Sequence, residues 1–346
     1  MQRKFLKLKT ISTIRATAAS TQGQSLYWGG GNTDRADNAA LHVNGAAVAG
    51  AWNATAKNWA TTNTPGVYGV YVPGSIVDLG LVTNLTGSSG KVYITNETDV
   101  SLSSLFAVVQ GAPNEMVYFT ATSPRTATLT GTNFILNVQA VNENGGLSFE
   151  PNVSLAGSAP LNCTASFSIG KVTVKSASDG FTGPVRVRNS EILVDGGTMA
   201  GVTNWNALTQ VYLMASSQAQ SIPKLTFYEN ASTDKDQIND NAAVTLSFGI
   251  FRYKGRDHAT APYSETLGKL VLEPFGILNL PDINYATAGA PNPKLIFSDS
   301  QKGIDRGANG RGVLVVGASD NTYSGVAMGY PTADPIVSNG VPEDVL

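Results

Sequence analysis

The chain has 346 residues, of which 42% are hydrophobic and only 14% charged, with 36 glycines, 16 prolines and a net charge of -2. A charged share well below the usual quarter leaves much of the surface to Ser, Thr, Asn and Gly, and the near-neutral balance excludes an electrostatic footprint for nucleic acid. A single cysteine, Cys163, excludes an intrachain disulfide and a thiolate metal site, and two histidines exclude a multi-His metal site.

Taken in chain order, residues 1–25 read as a basic extended arm. The stretch MQRKFLKLK supplies the charge, and the alternation in FLKLKTIS permits a strand that pairs with another surface. TISTIRATAAST is too polar for the apolar core of a Sec signal peptide, so no such peptide is read. Residues 26–90 are rich in Trp, Gly and Asn with little periodicity, and are expected to form a loop-rich cap or head.

From 91 to 328 strand signals follow at short intervals: KVYIT, EMVYFT, FILNVQAV, ASFSI, KVTVK, VRVRN and EILVD. In KVTVK, Val172 and Val174 face one way and Lys171, Thr173 and Lys175 the other, which describes a strand with one wet face. NALTQVYLMA (Asn206–Ala215) fits helix or strand equally. Then one pattern repeats: KLTFYEN, AVTLSFG, GKLVLEP, KLIFSDS and GVLVVGAS, starting at Lys224, Ala243, Gly268, Lys294 and Gly312. Starts 18 to 26 residues apart suit the rungs of a solenoid, where each coil buries its apolar face against the next. Residues 329–346 hold three prolines and read as an extended C-terminal tail. No stretch approaches the roughly 18 apolar residues of a membrane helix, so no membrane insertion is expected.

The fold class expected is therefore all-β: a β-solenoid, like a right-handed parallel β-helix, with a loop-rich N-terminal cap. The alternative is a β-sandwich or jelly roll, for which Asn144-Gly145, Asp179-Gly180 and Asp195-Gly196 would supply hairpin turns.

The segment Glu229–Leu280 resembles the autotransporter-associated β-strand repeat. The matching positions are Asp236, Ile238, Asp240, Ala242, Val244 and Leu246, then Gly249, Phe251, Tyr253 and Gly255, then Ser264 to Gly268, Leu270, Leu272 and Gly276. GVLVVGASDNTYSGVAMG is similar to the passenger-associated transport repeat at Leu314, Val316, Gly317, Asn321, Tyr323 and Gly325. The opening Tyr27–Trp59 resembles that of the same bacterial surface proteins at Trp28, Gly30, Trp52, Asn58 and Trp59. The resemblance implies a β-rich stack displayed outside a cell or on a particle. It supplies no catalytic residues.

Constellations that could carry chemistry are sparse, and no enzyme and no cofactor are expected. Asp234, Asp236 and Asp240 offer several oxygens, as a calcium loop does, but lack its glycine and bidentate glutamate. Pairs such as Glu265 and Glu273 can be drawn in any chain with 25 acidic residues and assign nothing. Tyr27, Trp28, Trp52 and Trp59 are candidates for stacking on a glycan or for an interface. Gly249, Gly255, Gly268, Gly276, Gly317, Asn321, Tyr323 and Gly325 are read as repeat positions.

The function expected is that of a non-enzymatic structural subunit in a repetitive surface assembly: a fibre, a sheath or a capsid decoration. It would self-associate through β edges and terminal arms, with other copies of itself as partners. The alternative is a glycan-binding adhesin or receptor-binding passenger. The location expected is the cell surface, the extracellular space or a virion surface.

Overall fold

A computed structural model of the chain describes residues 24–29, 42–43, 50–61, 68–83, 91–110, 116–140, 145–165, 170–195, 205, 207–214, 222–228, 237–254, 264–273, 275–279, 294–297, 304–305 and 313–317. Among them all regular structure is strand, and the strands stack in parallel as a β-solenoid. The basic arm up to residue 23 and the tail 329–346 lie outside the described residues.

Each coil contributes to up to three faces. The first face runs through Ser75–Thr83, Val100–Gln110, Phe134–Ala140, Leu161–Thr164, Val185–Arg188, Gln210–Met214, Ala243–Ser247, Leu270–Leu272 and Ile304–Asp305. The second runs through Gly50–Trp52, Lys91–Asn96, Met116–Thr120, Gly146–Phe149, Gly170–Val174, Ser190–Asp195, Lys224–Tyr228, Gly249–Lys254, Phe275–Asn279 and Val313–Gly317. On a third, Arg125–Leu129 pairs with the start of Val100–Gln110 and with Val153–Gly157, which pairs with Gly180–Phe181. A parallel bridge joins Trp205 to Ile238, and Ser264–Leu267 pairs with Lys294–Phe297.

Strand alternation sends every second side chain inward, and the parallel register stacks like upon like. On the first face Val77, Leu105, Leu136, Cys163, Val187, Leu213, Leu246 and Leu272 form one inner ladder. On the second, Val117, Leu147, Val172, Ile192, Leu225 and Phe251 form another. These side chains are buried in one continuous core. At about 1.5–3 kcal/mol for each such side chain removed from water, each rung stabilises its neighbours by several kcal/mol before entropy is charged against it.

Between the first and second faces the chain turns on a single left-handed residue in two coils, Asn189 (φ 54°) and Phe248 (φ 58°). After Phe248 the backbone passes so close to the preceding coil that a Cβ on Gly249 would sit 2.4 Å from that of Leu213. On Gly268 it would sit 2.6 Å from the Asn241 carbonyl oxygen. These two repeat positions are glycine because adjacent coils leave no room there.

The strand pairing corrects one expectation and decides two open alternatives. KLTFY and AVTLS are not successive rungs: the first lies on the second face and the other on the first face. The coil neighbour of Lys224 is Ile250, and that of Ala243 is Gln210. The run spacing thus mixed strands of one coil with strands of the next. The Asp-Gly pair at Asp179-Gly180 makes no hairpin either, because Gly180–Phe181 pairs in parallel with Val153–Gly157, and the sandwich alternative falls with it. Asn206–Ala215 contains a strand, Gln210–Met214, whose β-branched and aromatic residues pack on the first face.

The solenoid also reaches into the region read as a cap. Ser75–Thr83 pairs in parallel with Val100–Gln110, with register shifts between Ser75 and Ile76 and between Asp78 and Leu81. The end itself is antiparallel. Ser25–Trp28 pairs in parallel with Ser75–Thr83 and antiparallel with Trp59–Ala60, which pairs antiparallel with Tyr68–Gly69.

Candidate functional site

The N-terminal end concentrates the aromatic residues singled out in the sequence. Trp28, Trp52 and Trp59 are each at most 1% exposed. The Trp59 ring centroid lies 4.9 Å from Trp28 and 4.8 Å from Trp52, and Trp52 meets Tyr71 at 5.0 Å and Phe119 at 5.7 Å. Edge and tilted contacts of this kind suit the ring quadrupoles. Tyr27 is half-buried and packs on the small cluster of Ala60 and Tyr68. The tryptophans therefore plug the first coils, packed edge-on and tilted against one another.

Polar groups tie this plug down. The Asn58 amide donates to the Ala51 carbonyl at 2.7 Å, and the Gly29 amide donates to the Asn58 carbonyl at 2.7 Å. The Tyr71 hydroxyl donates to the Ser101 carbonyl, and burial raises the pKa of that phenol well above its ordinary value.

Other predicted residues are scattered along the stack. Asp240 sits exposed in a turn, while Asp234 and Asp236 lie outside the described residues. Gly276 and Gly317 lie in neighbouring second-face strands, where their register partners are Leu314 and Asn279. Gly255, Asn321, Tyr323 and Gly325 lie outside the described residues. Glu265 is 1% exposed, and its carboxylate accepts the backbone N–H of Gln237 at 2.9 Å and of Ile238 at 3.2 Å. It sews two coils together where the third face is reduced to a single bridge.

Cys163 stands in the first inner ladder, fully buried, with its sulfur 3.2 Å from the Ser190 hydroxyl. Burial pushes its thiol up to about 12, against a lesser lowering by Ser190. The neutral thiol is thus favoured by folding. Its contribution to stability is complete below the ordinary thiol range near 9 and is lost as pH rises toward about 12. Ellman's reagent at pH 8 is expected to leave the folded chain unmodified and to react with one equivalent after denaturation; rapid reaction without denaturant would contradict this burial.

An outward-facing group on the second face escaped the sequence reading. Tyr93 and Tyr118 are register partners whose rings stack at 5.1 Å and 22°. Tyr93 is 44% exposed. Beside them Thr95 and Thr120 place their hydroxyl oxygens 3.3 Å apart. Two coils on, Lys175 lies 3.1 Å from Glu150 and holds its ammonium 5.9 Å from the Tyr118 ring centre. The Ser148 hydroxyl donates to Glu150 at 2.6 Å. Burial first, then the Glu150 carboxylate and Tyr93, raise the Tyr118 phenol above its ordinary value, so it stays protonated at neutral pH. The signal was present in the sequence as V-Y-I-T in one run and V-Y-F-T in the next, each with a Tyr between apolar residues.

Compared with known proteins, the chain matches no protein-family model, no curated protein and no solved structure.

Proposed function

We propose that this chain is a non-enzymatic structural subunit of a repetitive surface assembly on a cell or a virion, such as a fibre, a sheath or a capsid decoration. The observation that supports this most is the stack itself. The buried apolar side chains form coil-to-coil ladders, and the ion pairs Glu150–Lys175, Glu191–Lys224 and Asp305–Lys269 also join neighbouring coils. A parallel stack ends on backbone donors and acceptors of the kind that recruit another strand, and the basic arm and Pro-rich tail offer strands or straps for a neighbour. The likeness of the C-terminal runs to autotransporter repeats fits the same reading.

Size-exclusion chromatography with light scattering on the full chain tests it. Species several times the 36.1 kDa protomer are expected, and deletion of residues 1–20 is expected to reduce them while leaving the β circular-dichroism signal intact. A monomer at every concentration would sink the proposal, and unchanged assembly after the deletion would remove the arm from it.

A further inference from the structure

We propose that the outer surface built by Tyr93, Tyr118, Thr95, Thr120, Glu150 and Lys175 is a binding platform for a neutral carbohydrate chain. The proposal stands whether or not the chain self-associates, and it does not use the buried tryptophans.

Two columns run side by side across adjacent coils. The register places Tyr93 beside Tyr118, and Thr95 beside Thr120. The Phe119–Phe149 and Phe149–Val174 pairs carry the second column on to Glu150 and Lys175, each one residue further along its chain. One column is therefore aromatic at this end and the other is polar throughout. Coils repeat at about 4.8 Å, so the surface offers ring faces and hydrogen-bonding groups at a regular step.

A sugar ring has an apolar face of C–H bonds and a rim of hydroxyls. The C–H face suits the negative face of an aromatic ring, and the hydroxyls need donors and acceptors at its edge. Tyr93 supplies the accessible ring. Tyr118 stiffens it from behind by stacking, and the Lys175 ammonium near Tyr118 fixes that ring in turn. The Thr hydroxyls and the Tyr118 phenol both donate and accept. Glu150 accepts and Lys175 donates, with side chains 20% and 30% exposed, respectively, so each has capacity beyond their mutual pair.

The charge selects the class of glycan. Lys175 and Glu150 form an ion pair with no net charge, so the rim offers no surplus charge of either sign to hold an acidic or a basic sugar. A solely structural ladder would account for the stacking, since cross-strand aromatic pairs contribute about 0.2–1 kcal/mol. What the ladder adds for a ligand is an accessible ring beside an ordered polar column.

The test is titration of the full chain, with its tyrosine rings isotope-labelled, against soluble hexasaccharides of glucose, mannose, galactose and N-acetylglucosamine, with sialylated and sulfated oligosaccharides alongside. The Tyr93 and Tyr118 ring signals are expected to shift with at least one neutral sugar. Tyr93→Ala is expected to weaken that binding by about tenfold or more. Tyr93→Phe should retain most of it, and Tyr212→Ala, at an outer-face tyrosine on the first face, should leave it unchanged. Neutral sugars that move neither ring at millimolar concentration would overturn the proposal, as would salt-sensitive binding of acidic sugars alone. Equal losses in Tyr93→Ala and Tyr212→Ala would also overturn it. The wild-type ring signals answer the question even if Tyr93→Ala fails to fold.

Discussion

Trp59→Ala is expected to destabilise the chain by about 3–5 kcal/mol, the usual cost of emptying a buried tryptophan site. The ring is fully buried and touches Trp28, Trp52 and Tyr71, so its removal leaves a cavity that three large rings border and cannot collapse to fill. Among the described residues its indole N–H has no hydrogen-bond partner. Trp59→Phe therefore loses volume but also removes a buried unsatisfied donor, and is expected to cost less than half as much. The location of the damage is as telling as its size. In a stack each coil touches only its neighbours, so loss of an end plug should fray that end first. Hydrogen exchange is expected to quicken in Ser25–Trp28, Ser75–Thr83 and Lys91–Asn96 while Val185–Arg188 and later strands stay protected. A uniform loss of protection along the chain would refute this nearest-neighbour account.

Glu265→Leu is expected to cost about 2–6 kcal/mol, because two buried backbone N–H groups lose their acceptor at about 1–3 kcal/mol each. The isosteric Glu265→Gln retains one carbonyl oxygen but turns an NH2 toward the other N–H, so roughly half the loss is expected there. Urea unfolding measures the totals, and faster exchange at the Gln237 and Ile238 amides marks the place. If both variants unfold at the wild-type midpoint, the carboxylate does not join these coils.

The reading of strands from the sequence was sound where it relied on local chemistry. In KVTVK the alternation identified Val172 and Val174 as inward, and both are 1% exposed. Pairing was another matter. The runs at Lys224 and Ala243 have the same inward-outward pattern, and nothing in that pattern says which face of which coil a strand joins. The sequence distance between register partners is 20 residues for Lys171 and Glu191 but 33 for Val211 and Val244, because corners accept insertions. A fixed period is therefore blurred in the chain even where the stack is regular.

The candidate site divides in the same way. Tyr27, Trp28, Trp52 and Trp59 were legible as candidates for a glycan or an interface, but burial depends on what covers a ring, and the three tryptophans are buried. Trp28, Trp52 and Trp59 turned inward, where their rings pack on one another and close the core at this end. Tyr93 and Tyr118 lie outward on a shared register, and their stacking exists only after two segments 25 residues apart are placed side by side.

By itself, then, the amino-acid sequence determined an all-β chain of short alternating strands with glycines at tight steps, because alternation and turn chemistry are local properties. Only the tertiary structure decided which strands are neighbours, which aromatic residues plug the end and which pair is offered to solvent. Those outcomes follow from coil-on-coil register and from the burial that register creates, which no single segment contains.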